Sequence, residues 1–529
     1  MNDHHGSIRE ARMTGILRAL GDLRWLRWGA VHAVRAKWSV LVAVSLWLDG
    51  RAASAQWAAP ERVSVPDPGV VGVVRVTGNG ESDSPRLSRD GRFVVFASSA
   101  SDLVTNDLNG VRRDVFVREL ATGQTTLISV TPEGRSGNGD SFAPDLSADG
   151  RFVVFASRAS DLVAGDGNGL ADVFVRDRVA GRTVRVSVAT DGAEGDGDSF
   201  GPGLTPDGQW VVFGSRAGNL DAAVADRDER VDVFLHRVET GTTTLVTREA
   251  REGTGNEQDI DDYAVSDDGQ WVAFSTVSTN VVAGATQRIP LGAYVHDVAR
   301  AQTFRLETTL GPVSLVRATA EARTLLFAPG RARLAIGTWV AISTTNGSNL
   351  VEVVDLTAAG PSFVGGAVGW GGTLLDEPTS LSFNAAGDAL ALTQSLAPSQ
   401  PAVLRVWRAD TGVVTPTNAL TLAPVRAREV ALSPAGDQVV FTSLATNLVA
   451  FGTPARQVQL YRLALATGEV ALMSTNETGR PVGGMDYARP GFNSEGTVVF
   501  QSASDAWRPG DGNRSADVYL ADVASGNVG

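Results

Sequence analysis

The sequence predicts an all-β fold: a single β-propeller of four-stranded antiparallel blades, eight in number, with the ring closed by a strand from the N-terminal side. Three observations predict it. A unit of about fifty residues, complete between Asp140 and Val188, recurs along nearly the whole chain, and a period of that length marks a propeller or an array. Tight Asp-Gly turns separate short apolar runs, a strong hairpin signal. Extended helical periodicity is missing beyond the N-terminal region.

Within the unit, a first segment from Ser141 to Ser147 turns at Asp149-Gly150 into the apolar run Arg151 to Ser157. A polar loop from Ser160 to Ala171 leads to a third segment, Asp172 to Arg176, which crosses Ala180-Gly181 into a fourth, Thr183 to Val188. The residue expected to close the second strand can be followed through Phe96, Phe155, Phe213, Phe274, Phe327, Leu392, Phe441 and Phe500, in steps of 59, 58, 61, 53, 65, 49 and 59 residues. Blades one to three, residues 80–250, keep the pattern best. Blade five, roughly 312–370, is the weakest, with Arg323 to Phe327 followed by an extra apolar segment from Leu334 to Ile342. The eighth blade stops after its third strand, and Val70 to Thr77 resembles the missing fourth one. Its docking there would remove the open edge of the array.

Residues 1–55 differ from the rest. They hold the only Lys, Lys37, several Arg, the apolar run Trp38 to Leu48 and a small-residue site at Ala53, Ser54, Ala55. That is the pattern of a secretory signal peptide with a long basic n-region, too short to span a bilayer. The expected layout is therefore a signal at 1–55, a linker at 56–69 and the propeller at 70–529, with 70–77 as the closing strand. Without the signal, 38 Arg stand against 55 Asp and Glu, a net charge of -17. Such a chain disfavours nucleic acid and anionic lipid and favours cationic ligands. With no Cys in the chain, disulfides and thiolate chemistry are excluded. The expectation is a periplasmic or secreted monomer with no membrane contact after cleavage.

The stretch from Leu146 to Asp177, with its Asp-Gly turn, aromatic strand and Asp ahead of the third strand, resembles the β-propeller repeat of the TolB-like type of exported bacterial proteins. The resemblance covers about 80–529. It implies a free-standing propeller, since the expected layout leaves room for neither the N-terminal α/β domain of TolB nor the hydrolase domain of prolyl-oligopeptidase relatives. It implies little about function.

Strand alternation puts the short first and third turns of every blade on one face and the longer acidic loops on the other, where a grafted function is expected. Two sets of residues stand out there. The first is Asp107, Asn109, Asp114; Asp166, Asn168, Asp172; Asp226, Asp228, Asp232; and Asp511, Asn513, Asp517. Oxygen ligands at alternate positions suit Ca²⁺, although each set lacks the later bidentate acid of an EF-hand. The competing reading is an Asx turn whose last Asp accepts from loop amides. The second set, Glu81, Asp140, Asp198, Asp259, Glu377 and Asp486, precedes the first strand of six blades. These acids are expected to ring one mouth of the central channel, as a site for a metal or cationic group or as plain turn acids facing amides or Arg.

Catalytic signatures are poor. Only His236 and His296 remain outside residues 1–55, at the repeat position that Arg118 and Arg176 fill elsewhere, and there is no G-x-S-x-G, P-loop or zinc-spaced His pair. The sequence therefore points to a non-enzymatic propeller that binds a cationic protein, peptide or glycan, with no required cofactor and Ca²⁺ as the candidate ion. A metal-dependent lyase or hydrolase at the acidic mouth, and a structural part of an envelope or secretion assembly, are the alternatives.

Overall fold

The computed structural model describes residues 61–63, 78–223, 230–248, 260–276, 281–282, 292–306, 320–341, 347–368, 380–394, 402–450, 453–454, 457–475, 480–482, 490–492, 496–504 and 515–522. Two units divide the chain: Met1–Gln56, which with the expected signal segment lies outside the described residues, and Trp57–Gly529, which holds the propeller. Every regular element among the described residues is a β-strand.

Eight antiparallel sheets of four strands form the blades. Blade one comprises Ser82–Leu87, Phe93–Ser98, Asp114–Glu119 and Thr125–Leu127. Blade two comprises Ser141–Leu146, Phe152–Ser157, Asp172–Asp177 and Arg182–Arg185. Blades three to seven follow over 199–245, 260–305, 320–368, 381–414 and 430–472. The first strand of each blade touches the first strand of the next all the way round, blade eight returning to blade one, so the first strands are innermost.

The core lies between blades. Each of the eight apolar clusters joins two neighbours, as sheets with two buried faces require. Within a blade, an aromatic of the second strand stacks on one of the third. Phe96 lies on Phe116, Phe155 on Phe174 and Phe213 on Phe234, each with centroids 5.8 Å apart, an offset stack worth about 0.5–1.5 kcal/mol beyond its burial.

The first turns explain the Ser/Thr-x-Asp-Gly spelling. In blade two Ser147 Oγ donates to Asp149 Oδ1 and accepts from Phe152 N, while Asp149 Oδ1 also accepts from Arg151 N. Gly150 sits at φ +67, and a Cβ there would lie 2.4 Å from the Phe93 ring of blade one. Gly208 repeats the arrangement at φ +72 against Phe152 of blade two. The glycine thus serves both the turn and the packing of the preceding blade.

Two expectations need correcting. Phe327 ends the first strand of blade five, Ala320–Phe327, and the second strand is the supposed extra segment, Arg333–Ala341. Ile336 fills the marker position, giving steps of 62 and 56 in place of 53 and 65. An apolar residue that is not aromatic hid the register. Secondly, blade eight, built from Gly491–Phe492, Thr497–Ser502 and Asp517–Asp522, takes its fourth strand from Glu61–Arg62. The closing strand is N-terminal as expected, but it comes from the presumed linker, and Val70 to Thr77 lies outside the described residues. Val63 N donates to Val518 O at 2.7 Å to extend the pairing. Arg62, 3% exposed, donates to Tyr519 Oη at 3.0 Å, stacks on its ring and lies 3.5 Å from Asp517 Oδ2.

Candidate functional site

The third strands of blades one, two, three and eight begin with Asp114, Asp172, Asp232 and Asp517, all fully buried. A carboxylate so placed needs donors, and the repeat supplies them from the far side of the blade. Ser129, just past the fourth strand, donates its hydroxyl to Asp114 Oδ1 at 2.6 Å while accepting from Val115 N. Ser187 does the same for Asp172 and Val173 N, and Thr247 for Asp232 and Val233 N. In blade seven the pair is Gln459 and Ser474.

The loop before the third strand adds a second clasp. Asn109 Nδ2 donates to Asp114 Oδ2 at 2.7 Å and to Gly137 O at 2.8 Å, and Asn168 Nδ2 donates to Asp172 Oδ2 and Gly195 O. The terminal Asp of each of these two sets is therefore held by side chains, not by the loop amides that the Asx-turn reading proposed.

Blades one and two part company at the third member. In blade two Asp166, Asp172 and Glu194 bring carboxylate oxygens within 4.8 Å of one another. Into them runs Arg185, whose Nη1 meets Glu194 Oε1, Asp166 Oδ1 at 3.3 Å and Asp172 Oδ2 at 3.4 Å, while Nη2 donates to Gly165 O. Burial, then the charge of Asp172, pushes Asp166 up to about 6. In blade one the register puts Leu127 opposite Phe116, where Arg185 stands opposite Phe174. The bridge that brings in Glu194 brings in Ser136 instead. Asp107 is 7% exposed and neither of its oxygens meets a donor in hydrogen-bonding geometry, although Asn109 N and Ser136 Oγ lie near enough to favour its charge. Burial raises Asp107 to about 6 and Asp114 to about 7.

Of the expected channel-mouth acids, Glu81, Asp140 and Asp198 are described. Asp140 Oδ1 accepts from Arg113 N at 3.0 Å and Asp198 Oδ1 from Ala171 N at 2.7 Å, each tying a blade to the one before it. Arg158 lies 3.8 Å from Asp198, and Glu81 is exposed. Asp226, Asp228, Asp259, Glu377, Asp486, Asp511 and Asn513 lie outside the described residues. His236 and His296 pair with Thr243 and Thr303 as Arg118 and Arg176 pair with Thr125 and Thr183. Burial pushes both imidazoles down to about 4.

Sequence reasoning missed Arg185, Glu194 and Arg62. Aligning the fourth strands would have found Arg185, whereas Arg62, which faces Tyr519 as Arg185 faces Phe174, lies in a two-residue strand that carries no sequence signal. A cleft of about 620 Å³ between the outer parts of blades two and three, lined by Asp177, Arg182, Asp191, His236 and Glu239, was not foreseen either.

No protein-family model and no curated protein sequence matches the chain. Among solved structures it is similar to a prolyl endopeptidase, at 14% identity and a TM-score of 0.42, over 91% of this chain and 61% of that one. It thus spans about three fifths of that enzyme. An oligogalacturonate lyase in complex with manganese is similar at 12% identity and a TM-score of 0.44, over 88% and 99%. A putative TolB from Agrobacterium tumefaciens is similar at 14% identity and a TM-score of 0.31, over 63% and 88%. These likenesses are of fold alone. Two of the three are enzymes, and the expectation of a non-enzymatic chain is corrected to an open one, because missing catalytic motifs do not exclude catalysis and a fold does not fix function. The chain is an eight-bladed β-propeller, the fold that the TolB-like resemblance implied.

Proposed function

We propose that the long-loop face of this propeller, in an exported protein, is a binding surface for a basic segment of a protein or peptide, held through its arginine side chains. The observation that carries the reading is Arg185, a guanidinium gripped by Asp166, Asp172 and Glu194 at the loop end of blade two. A face that folds around a guanidinium of its own has the chemistry to take one from a ligand. Residues 99–113, 128–140, 158–171 and 186–198 of that face hold ten Asp or Glu against four Arg, and such an excess attracts cations over about a Debye length, roughly 10 Å at 0.1 M salt.

The test is fluorescence anisotropy of the full chain with an arginine-rich peptide and its citrulline counterpart. The arginine peptide should bind at low ionic strength and weaken as salt is added, while the citrulline peptide should not bind. Equal binding of the two, or no binding of either at low salt, overturns the reading.

A further inference from the structure

The blades of this ring treat one position in two ways. Where a buried Asp opens the third strand, blades two and eight set an arginine from the fourth strand against it, Arg185 at 3.4 Å from Asp172 and Arg62 at 3.5 Å from Asp517. Blade one has the same buried Asp114 and a second buried acid, Asp107, but Leu127 where the arginine would be. Three oxygens lie buried there without a hydrogen-bond partner: Asp107 Oδ1, Asp107 Oδ2 and Asn109 Oδ1. The Asn109 amide cannot turn to relieve this, because its nitrogen already serves two acceptors, Asp114 Oδ2 and Gly137 O. Asp107 is more than nine-tenths buried, and the other charges that bear on the pair, Asp102 and Asp140, are negative as well.

We propose that this blade-one pocket binds a hard divalent cation of the Ca²⁺ class, with Asp107 and Asn109 Oδ1 as protein ligands and Asp114 supplying charge behind them. The donor set is oxygen throughout, carboxylate and amide with no imidazole or thiolate, which suits Ca²⁺ over softer metals. The ion does in blade one what the guanidinium does in blade two. The site is separate from the basic-peptide reading and needs no peptide.

Equilibrium dialysis of the chelator-stripped full chain against Ca²⁺, with thermal melts on the same samples, tests this. The wild type should take up Ca²⁺ and melt higher with it than in EDTA, as ligand binding to the folded state alone requires. Asp107→Asn should bind one ion fewer per chain. Leu127→Arg, which copies blade two, should also lose that ion while melting above the wild type in EDTA, and it decides the matter if the Asn variant does not fold. A wild type that binds no Ca²⁺, or a folded variant of either kind that binds as many ions as the wild type, overturns the proposal. Because no peptide is present, such a failure leaves the recognition reading untouched.

Discussion

Blades one and two share one hydrogen-bond plan and differ in where their positive charge comes from. Both clasp the first Asp of the third strand between a Ser hydroxyl and an Asn amide, and in both the Asn also donates to the equivalent backbone carbonyl, Gly137 O or Gly195 O. Only blade two carries its own counter-charge, Arg185, where blade one has Leu127. The scaffold of a repeat is thus kept by residues that satisfy the backbone, while the electrostatics of each loop end are set separately by one fourth-strand side chain.

The strongest way to break this comparison is Arg185→Leu, which gives blade two the fourth strand of blade one. It leaves Asp166, Asp172 and Glu194 without the cation, and removing one partner of a buried ion pair costs about 3–5 kcal/mol. The urea midpoint should drop accordingly at unchanged slope, and the emptied pocket should acquire a Ca²⁺ response that the wild-type blade lacks. A variant as stable as the wild type would show that Arg185 compensates nothing.

A second contrast, between the first two blades and the next two, sharpens the first. Arg118 and Arg176 stay charged where His236 and His296 titrate, each against a Thr of the fourth strand. Both imidazoles are held down to about 4 by burial, below the ordinary value near 6.5. The unfolded chain therefore binds more protons between those values, so this contribution is present in full above about pH 6.5 and lost as pH falls toward 4, on the order of 3 kcal/mol for each ring. Denaturation midpoints of the wild type and of the double variant His236→Gln, His296→Gln across that range should converge as pH falls. Parallel curves would mean that the two rings are not buried neutral.

The smallest effect tests what the blades share. Ser129→Ala and Ser187→Ala each remove one donor from a buried carboxylate and should cost about 1–3 kcal/mol, by the same amount in blades one and two. Unequal losses in chemical denaturation would show that the clasp, and not only the counter-charge, differs between them.

Much of the fold was legible because its signals are local. Asp149-Gly150 and its repeats mark first turns, and Phe155 with its equivalents marks the buried second strand, which gave blades one to four and the total count. Blade five slipped because the marker there is Ile336, opposite Glu352 instead of an aromatic, and Phe327 one strand earlier took its place. The closing strand was unreadable for a related reason: two residues have no periodicity, and Arg62 is held by Tyr519 and Asp517, 457 and 455 positions away. At the acidic loops, spacing picked out Asp107, Asn109 and Asp114 correctly as neighbours. It could not show that Ser129 and Ser136 complete one pocket, or that Glu194 and Arg185 complete the other, since those partners arrive from the fourth strand and the link beyond it.

The two-residue closing strand also sets a schedule for making the protein. Glu61 and Arg62 leave the ribosome early, but their partners Leu520 and Tyr519 follow some 457 residues later, roughly 20–90 s at ordinary rates of synthesis. Throughout that interval no final sheet exists for the early segment to join. Blades one to seven can form in turn as they emerge, each against the one before, but the seam waits until Asp517–Asp522 has been made. Closing the ring is then the capture of a segment made long before, and until it happens Asp517–Asp522 presents an unpaired strand edge of the kind that recruits other chains. What a cell has to keep unpaired through that interval is the early segment itself, and the edge of the last strand stays open only from its synthesis until the segment is captured.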